Sequence, residues 1–221
     1  KWKQDIQNDI EKLEELLEYS IQVDNNRDKK LQTLKQTIET KIKNPLNGEN
    51  KKVIIFTAFA DTAQYLYDNI SLWAKNLGVE SCLITGSGIN QSTLFPKERD
   101  LNTLLTHFSP ISKDRAKIDS TQSKELDILI ATDCISEGQN LQDCDFLINY
   151  DIHWNPVRII QRFGRVDRLG SKNKYIQLVN FWANMELDEY INLESRVSGR
   201  MVLLDVSATG EENIIDTSNK E

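Results

Sequence analysis

Three polar side chains recur at helical spacing in the segment that follows Asn155. Gln161, Arg165 and Arg168 stand at positions i, i+4 and i+7, which places them on one face of a predicted helix. A guanidinium carries a permanent charge and a planar fork of N–H donors that matches phosphate oxygens. Two arginines on one face can therefore hold a phosphoryl group. The alternative is a solvated basic face that forms salt bridges with the acidic remainder of the chain.

Two glycines accompany these polar residues. Gly138 lies in the polar segment Ala131–Leu141, which follows a predicted strand, and lets backbone approach a ligand. The carboxyl ends of parallel strands are where α/β sheets bind ligands, although an ordinary βα turn explains this loop equally well. Gly164 lies inside the predicted helix, where glycine costs about 1 kcal/mol relative to alanine. We therefore expect something to require its missing side chain.

Short apolar strands alternate with amphipathic helices from Lys51 onward. This alternation of strands and helices predicts an α/β fold with a parallel sheet and crossover helices. Asn155 and Pro156 are suited to start the arginine-bearing helix, which is expected to end near Leu169. The strands are predicted at 53–56, 82–84, 126–131, 146–150 and 175–182, and the other helices at 61–77, from 96 to 108, and from about 186.

Outside this alternating region the sequence has a different character. Residues 1–44 carry apolar positions at helical spacing and predict two amphipathic helices, whose apolar stripes are expected to pack on the neighbouring domain. We therefore predict a helical extension over 1–50 and an α/β domain over 51–208. Within that domain, 109–125 is predicted as a mobile polar surface insertion, and 209–221, which follow the domain, are predicted as a frayed tail.

Composition and charge exclude several classes of protein and of binding site. The formal charge is −7, so nucleic acid is not bound by bulk attraction, but residues 155–175 carry six cationic side chains against one aspartate. No apolar run approaches the roughly 20 residues of a membrane span. The three cysteines form no CxxC pair, which favours reduced thiols in a cytoplasmic protein. Two histidines without clustered thiols leave too few ligands for a zinc site of the usual spacing.

Two of these segments resemble motifs of a known family. Gln161–Gly170, with the sequence QRFGRVDRLG, resembles motif VI of superfamily 2 helicases and translocases, and Ala131–Leu141 resembles their motif V. Tyr150–Pro156 is similar to the segment before motif VI in Swi/Snf-type remodellers and RapA-type ATPases. Glu137 stands where DEAD-box relatives carry arginine, which favours the remodeller-like branch.

The resemblance extends over about Lys51 to Trp182. Val53–Leu66 resembles motif IV, and Thr85-Gly86 with Arg99 resembles the motif that follows it. In this family all of these motifs belong to the second of two RecA-like lobes. The resemblance therefore implies a RecA-like parallel sheet sandwiched by helices.

The resemblance also implies a role for each matching residue. Arg165 and Arg168 correspond to the arginines that reach the γ-phosphate of ATP bound on the first lobe, with Arg168 as the arginine finger. Cofactor contacts are implied for Gln161, for Asn140 at the ribose, and for Gly138 and Gly164.

Contacts with the sugar-phosphate backbone of nucleic acid are implied for Thr132, Gly86 and Arg99, in a mode that does not depend on sequence. DNA is favoured over RNA as the track, that is, as the nucleic acid along which the protein moves. No membrane partner is expected.

The phosphate-binding loop itself is missing. No G-x-x-x-x-G-K-[ST] occurs, and no Asp-Glu pair follows a strand. ATP and Mg²⁺ are therefore expected to bind mainly on a lobe upstream of Lys1, and this chain alone is expected to hydrolyse ATP negligibly. The alternative is a non-catalytic helicase-like docking module for a protein or nucleic acid. A dinucleotide-dependent enzyme is disfavoured because no G-x-G-x-x-G follows the first strand.

Overall fold

The computed structural model describes residues 2–86, 88–118, 123–135, 138–152, 156–168 and 170–182. The chain divides into two compact units, Lys1–Lys43 and Asn44–Glu221. The helix predicted from about residue 186 and the tail predicted at 209–221 lie outside the described residues, as do Glu137, Asn155 and Leu169.

The first unit consists of the two predicted helices. Helix α1 spans Trp2–Ile21 and α2 spans Lys29–Lys43. The apolar stripe of α2 is buried, and Leu31, Leu34 and Ile38 are 0% exposed. No described residue of α1 is buried, and the packing of its apolar stripe on a neighbouring domain stays a prediction. Periodicity determines which face of a helix is apolar, but it does not determine whether that face is covered.

The second unit is built on a six-stranded sheet in the order β3-β2-β4-β1-β5-β6. The strands are β1 (Val53–Phe56), β2 (Ser81–Ile84), β3 (Gln91–Ser92), β4 (Ile128–Ala131), β5 (Phe146–Asn149) and β6 (Gln177–Asn180). All neighbouring strands pair in parallel except β3, which runs antiparallel to β2. The predicted α/β architecture with a largely parallel sheet is confirmed, and β3 is an addition to it.

Helices cover both faces of this sheet. The remaining helices are α3 (Ala60–Asn76), α4 (Leu101–Phe108), α5 (Arg115–Ile118) and α6 (Pro156–Val166). Alternate strand residues such as Ile54 and Phe56 join Leu104 and Phe108 of α4 and Val166 of α6 in one apolar core. The opposite face packs against α3. The strand residues are buried on both faces, as a covered parallel sheet requires.

Two predicted helix starts differ from the structure. Helix α3 begins at Ala60, one residue before the predicted start, after Phe59 and without a side-chain cap. Helix α4 begins at Leu101 rather than near Pro96, because the Asp100 side chain accepts a hydrogen bond from the Thr103 N–H and caps the helix there.

The predicted insertion contains regular structure. Residues 115–118 form α5, and Ser109, at the start of the segment, is fully buried. No residue of α5 is buried, so this helix lies at the surface as predicted for the segment, whereas Ser109 does not, and its N–H is bonded to the Leu105 carbonyl. No helix among the described residues has both the length and the apolar character needed to cross a bilayer.

The cap of α4 provides a test of the fold. Its hydrogen bond from the Thr103 backbone lowers the pKa of Asp100, so the charged carboxylate stabilises the fold above the unfolded pKa. This contribution disappears as the pH falls through the lowered value. We predict that Asp100→Ala lowers the melting temperature at pH 7 by about 2–4 °C. Thermal melts followed by circular dichroism at pH 7 and pH 3 measure this loss. The difference in melting temperature between Asp100→Ala and the wild type should be smaller at pH 3.

Asp100→Asn is the matched control, because an amide oxygen also caps a helix. Its melting temperature at pH 7 should stay closer to that of the wild type than that of Asp100→Ala. Equal stability of the alanine variant and the wild type at pH 7 would contradict the assignment of the cap.

Candidate functional site

The carboxyl ends of β2 and β4 bring together two of the predicted nucleic-acid residues. Thr132 follows β4, is buried, and donates its N–H to the Ile84 carbonyl over 3.2 Å. Gly86 follows β2, and a Cβ at this position would lie 3.2 Å from the Cβ of Cys134. The contact is tight enough that glycine at position 86 serves the packing of the two loops as well as any ligand.

Arg99 is tied to the same region through one side chain. Asn90 donates its Nδ2 to the Arg99 carbonyl over 2.9 Å, and its Oδ1 accepts the N–H of Thr85 over 3.4 Å. Arg99 itself is exposed. The predicted residues Gly86, Thr132 and Arg99 thus all belong to loops that follow β2, β3 and β4.

Two of the predicted nucleotide residues, Gly138 and Asn140, lie farther along the loop after β4. Gly138 has a φ of 72°, in the left-handed region that favours glycine, so the chain turns there. Asn140 is half-buried, and its Oδ1 accepts the Gln142 N–H over 3.3 Å. The Leu141 N–H donates to the Arg165 carbonyl over 3.0 Å, which joins this loop directly to α6.

A groove of about 480 Å³ forms where the loop meets α6. Three predicted residues line it, Asn140, Gly164 and Arg168, together with Gln142 and Asp167. A Cβ on Gly164 would meet no atom within 4 Å. Packing among the described residues therefore does not require the glycine, which leaves the space in front of it open. Gln161 is half-buried on α6 and is not among the groove-lining residues.

Helix α6 ends earlier than predicted. It ends at Val166, with one further helical bond from the Asp167 N–H to the Phe163 carbonyl, and Gly170 then adopts a φ of 91°. Arg168 consequently follows the helix instead of sharing its face with Gln161 and Arg165. The expectation of three side chains on one helical face is corrected for this residue.

Both predicted arginines lack acidic partners in the described part of the chain. Neither Arg165 nor Arg168 forms an ion pair with a described residue, and the Nε of Arg165 is buried without a hydrogen-bond partner there. Arg168 is exposed at the groove. A basic face neutralised by salt bridges, the alternative considered above, does not describe these two side chains within that part of the structure.

A third arginine, absent from the predicted site, is the largest fully buried side chain among the residues that the structure describes. The Nε of Arg162 lies 2.6 Å from Oδ1 of Asp133, in the short 3₁₀ turn Asp133–Ile135 after β4. Its Nη1 donates to Oδ1 of Asn149 over 2.9 Å and to the Asp151 carbonyl over 3.3 Å. The guanidinium also stands 5.1 Å from the centre of the Phe56 ring.

Helical spacing could have identified Arg162. Ile159, Arg162 and Val166 stand at i, i+3 and i+7 and are all fully buried, so the arginine lies on the apolar face of α6. A charged residue on such a face needs a buried partner. Asn149, a polar residue at the end of an apolar strand, supplies one, and Asp133 supplies another.

No group of three His, Cys, Asp or Glu side chains in the part of the chain that the structure describes is placed to hold a metal ion. The cysteines are free, with Cys82 and Cys144 buried and Cys134 exposed. Burial raises the pKa of the Cys82 thiol well above its usual range. It is thus a packing residue of β2.

Replacing Arg162 by alanine should remove the guanidinium to which two polar side chains are hydrogen-bonded. We predict that Arg162→Ala lowers the free energy of unfolding by about 3–5 kcal/mol, because it leaves Asp133 and Asn149 without the guanidinium. Urea denaturation followed by fluorescence measures the loss. Arg158→Ala, on the same helix but half-exposed, is the control and should cost less than about 1 kcal/mol. Equal losses for the two variants would contradict the assigned role.

Comparison with known proteins agrees with this geometry. The family model for the helicase conserved C-terminal domain matches residues 29–170. The chain is 42% identical over 67 residues to the uncharacterized ATP-dependent helicase YqhH of Bacillus subtilis (strain 168), a match that covers 30% of this chain and 12% of that protein.

A longer match, 28% identical over 182 residues, is to the probable ATP-dependent RNA helicase ddx51 of Dictyostelium discoideum and covers 82% of this chain and 28% of that protein. The chain thus spans less than a third of the length of these relatives. The solved C-terminal part of the Fun30 ATPase domain has a TM-score of 0.51 at 21% identity, over 74% of this chain and 43% of that one, and supports the same fold. The chain belongs to the helicase conserved C-terminal domain family, and its fold is the RecA-like α/β fold of such domains.

Proposed function

We propose that this chain is the second motor lobe of an ATP-dependent nucleic-acid helicase or translocase, whose first lobe carries the phosphate-binding loop and holds Mg²⁺. The observation that carries the proposal is the groove in which Asn140, Gly164 and Arg168 meet. The groove brings together residues from the two segments that resemble motifs V and VI. A Cβ at Gly164 would meet no atom within 4 Å, so the space in front of this residue is open.

Electrostatics support a role for the two arginines at the phosphates of ATP. Charge that neutralises no described acidic group is available to an anion that approaches from outside the domain. In this role Arg168 acts as the arginine finger, stabilising charge on the phosphoryl oxygens, and Arg165 assists it. Arg162 is already committed to Asp133 and Asn149 and cannot serve in this way without breaking the core.

Polar groups around the arginines suit the rest of the nucleotide. We assign Asn140 to a ribose hydroxyl, Gly138 and Gly164 to close backbone approach, and Gln161 to the coupling of nucleotide and nucleic acid. The fixed position of Asn140, whose Oδ1 is held by the Gln142 N–H, favours such a contact because an ordered group loses less entropy on binding.

The nucleic-acid contacts are assigned to the loops after β2, β3 and β4. Thr132, Gly86 and Arg99 would meet phosphates and sugars, which carry no sequence information, and we propose DNA as the track. Asp133 adjoins Thr132 and is bonded to Arg162 on the helix that bears Arg165. A shift of α6 at the nucleotide is thereby transmitted to the nucleic-acid loops.

The proposed cycle follows from these placements. ATP bound on the first lobe draws Arg165 and Arg168 into the cleft between the lobes. Water cleaves the bond to the γ-phosphate, and release of the inorganic phosphate then removes the charge that held them there. The loops after β2 and β4 keep hold of the track while the lobes open and close, so each cycle advances the protein along a strand.

We further propose that residues 1–50 connect the two lobes, that 51–208 form the motor lobe proper, and that the protein belongs to the remodeller-like or RapA-type branch and works in the cytoplasm.

An ATPase assay with added DNA or RNA tests the proposed motor function on this chain alone and on the protein extended upstream. An inactive chain beside an active extended protein supports a split motor. Inactivity of both on every track would favour the docking-module alternative.

Arg168 provides the sharpest mutational test. We predict that Arg168→Ala in the extended protein reduces kcat for ATP hydrolysis at least about 1,000-fold, because the finger acts on the transition state, while ATP binding changes little. Stimulated ATPase and binding of a fluorescent ATP analogue measure the two effects. Lys172→Ala, an exposed cation nearby, is the control and should retain activity. Normal turnover in Arg168→Ala would refute the finger.

Arg99 tests the nucleic-acid face. We predict that Arg99→Gln weakens DNA binding equally for unrelated sequences and reduces the slope of log Kd against log salt by about 1, because one phosphate contact is lost. Fluorescence anisotropy over a salt series measures both. The control is Lys97→Gln, which removes an exposed charge two residues away and should leave the slope unchanged. Identical slopes for Arg99→Gln and the wild type would remove Arg99 from the interface.

A further inference from the structure

The segment 109–113, at the start of the predicted insertion, is docked on the loop that carries Asn140. The Ile111 and Ser112 N–H groups donate to the Asp143 carboxylate over 2.6 and 2.9 Å. Ser112 Oγ donates to the Asn140 carbonyl over 3.4 Å, and Lys113 Nζ donates to Oε1 of Gln139 over 2.8 Å. Every one of these acceptors lies between residues 139 and 143.

The segment is itself held in shape. The Lys113 N–H donates to the Ser109 carbonyl over 3.1 Å, and Ser109 is fully buried. Asp114 adopts a φ of 51°, a conformation that Asp tolerates, and so turns the chain toward Arg115. Arg115 then donates to the Lys124 carbonyl over 3.1 Å and pairs with Glu125 over 3.4 Å, just before β4. The 109–113 segment is therefore anchored at both ends.

Lys113 is an unusual surface lysine. It is half-buried, and its described partner is the neutral amide oxygen of Gln139 rather than a carboxylate. Burial lowers the pKa of its ammonium, so holding a charge at this position has a cost. Lys117, in the same insertion, shows the ordinary arrangement, with an exposed ammonium 2.9 Å from Asp114.

Asn140 is consequently held from two sides. Toward α6, the Leu141 N–H is bonded to the Arg165 carbonyl. Toward the insertion, Gln139 is fixed by Lys113 and the Asn140 carbonyl by Ser112. A loop containing Gly138 has more backbone freedom than most, so bonds at the residues that flank Asn140 decide how well its amide is placed.

We propose that Lys113 is a positioning residue for the nucleotide groove, holding Gln139 so that the neighbouring Asn140 presents its amide to the sugar of the bound nucleotide. This inference rests on the proposed function, since it takes Asn140 to be a nucleotide contact. Lys113 acts through Gln139 and does not itself touch the nucleotide.

The test compares Lys113→Met with Lys117→Met in the intact protein. Both changes remove one lysine charge from the same insertion, but only the first removes the bond to Gln139. We expect Lys113→Met to raise KM for ATP about fivefold, as loss of one charge-assisted hydrogen bond allows, with kcat within about twofold of the wild type. Lys113→Arg, which keeps a charged donor, should recover part of the loss.

Amide hydrogen exchange of the same variants provides a readout that does not depend on ATPase activity. Exchange over 138–144 should be faster in Lys113→Met than in the wild type and unchanged in Lys117→Met, because the bond that holds Gln139 is gone. Unchanged exchange in Lys113→Met would overturn the inference. So would faster exchange combined with a wild-type KM, because the loop would then be held without serving the nucleotide.

Failure of the proposed function gives a different result. If the intact wild-type protein hydrolyses no ATP on any track, the proposed function is refuted, and the inference that rests on it with it. If the wild type is active and Lys113→Met matches it in KM, only the inference fails.

Discussion

The buried guanidinium of Arg162 is the contact on which the arrangement of this domain depends. It joins the turn after β4 through Asp133, the end of β5 through Asn149, and α6, on which it stands. A buried charge needs an ion pair and hydrogen bonds in place of water. These three elements can therefore take up only those relative positions in which the guanidinium keeps its partners. The groove lies on the same helix, and its geometry follows from this constraint.

The parallel sheet and its helices could be predicted from the sequence because apolar runs and helical periodicity report burial directly. The end of α6 could not, since Arg168 continues the helical spacing although the helix ends at Val166. Gathering Asn140, Gly164 and Arg168 at one groove required the resemblance to a family, because spacing within one helix says nothing about the loop that meets it.

The residues that position the site were harder to predict than those that line it. Arg162 lies on an apolar stripe, and that pattern was available from the sequence, but its partners come from strands and turns distant along the chain. Lys113 gives no such signal, because a polar, aperiodic segment has the same composition whether it is solvated or docked. Only long-range hydrogen bonds distinguish the two cases.

The antiparallel strand β3 closes one edge of the described sheet with only two residues, Gln91 and Ser92. A long parallel strand at that position would present a row of free N–H and carbonyl groups to any extended chain nearby. A strand of two polar residues offers almost no template of that kind. On that side, the described sheet is therefore protected against edge-to-edge aggregation, which matters for a domain whose strands are otherwise short, apolar and rich in β-branched residues.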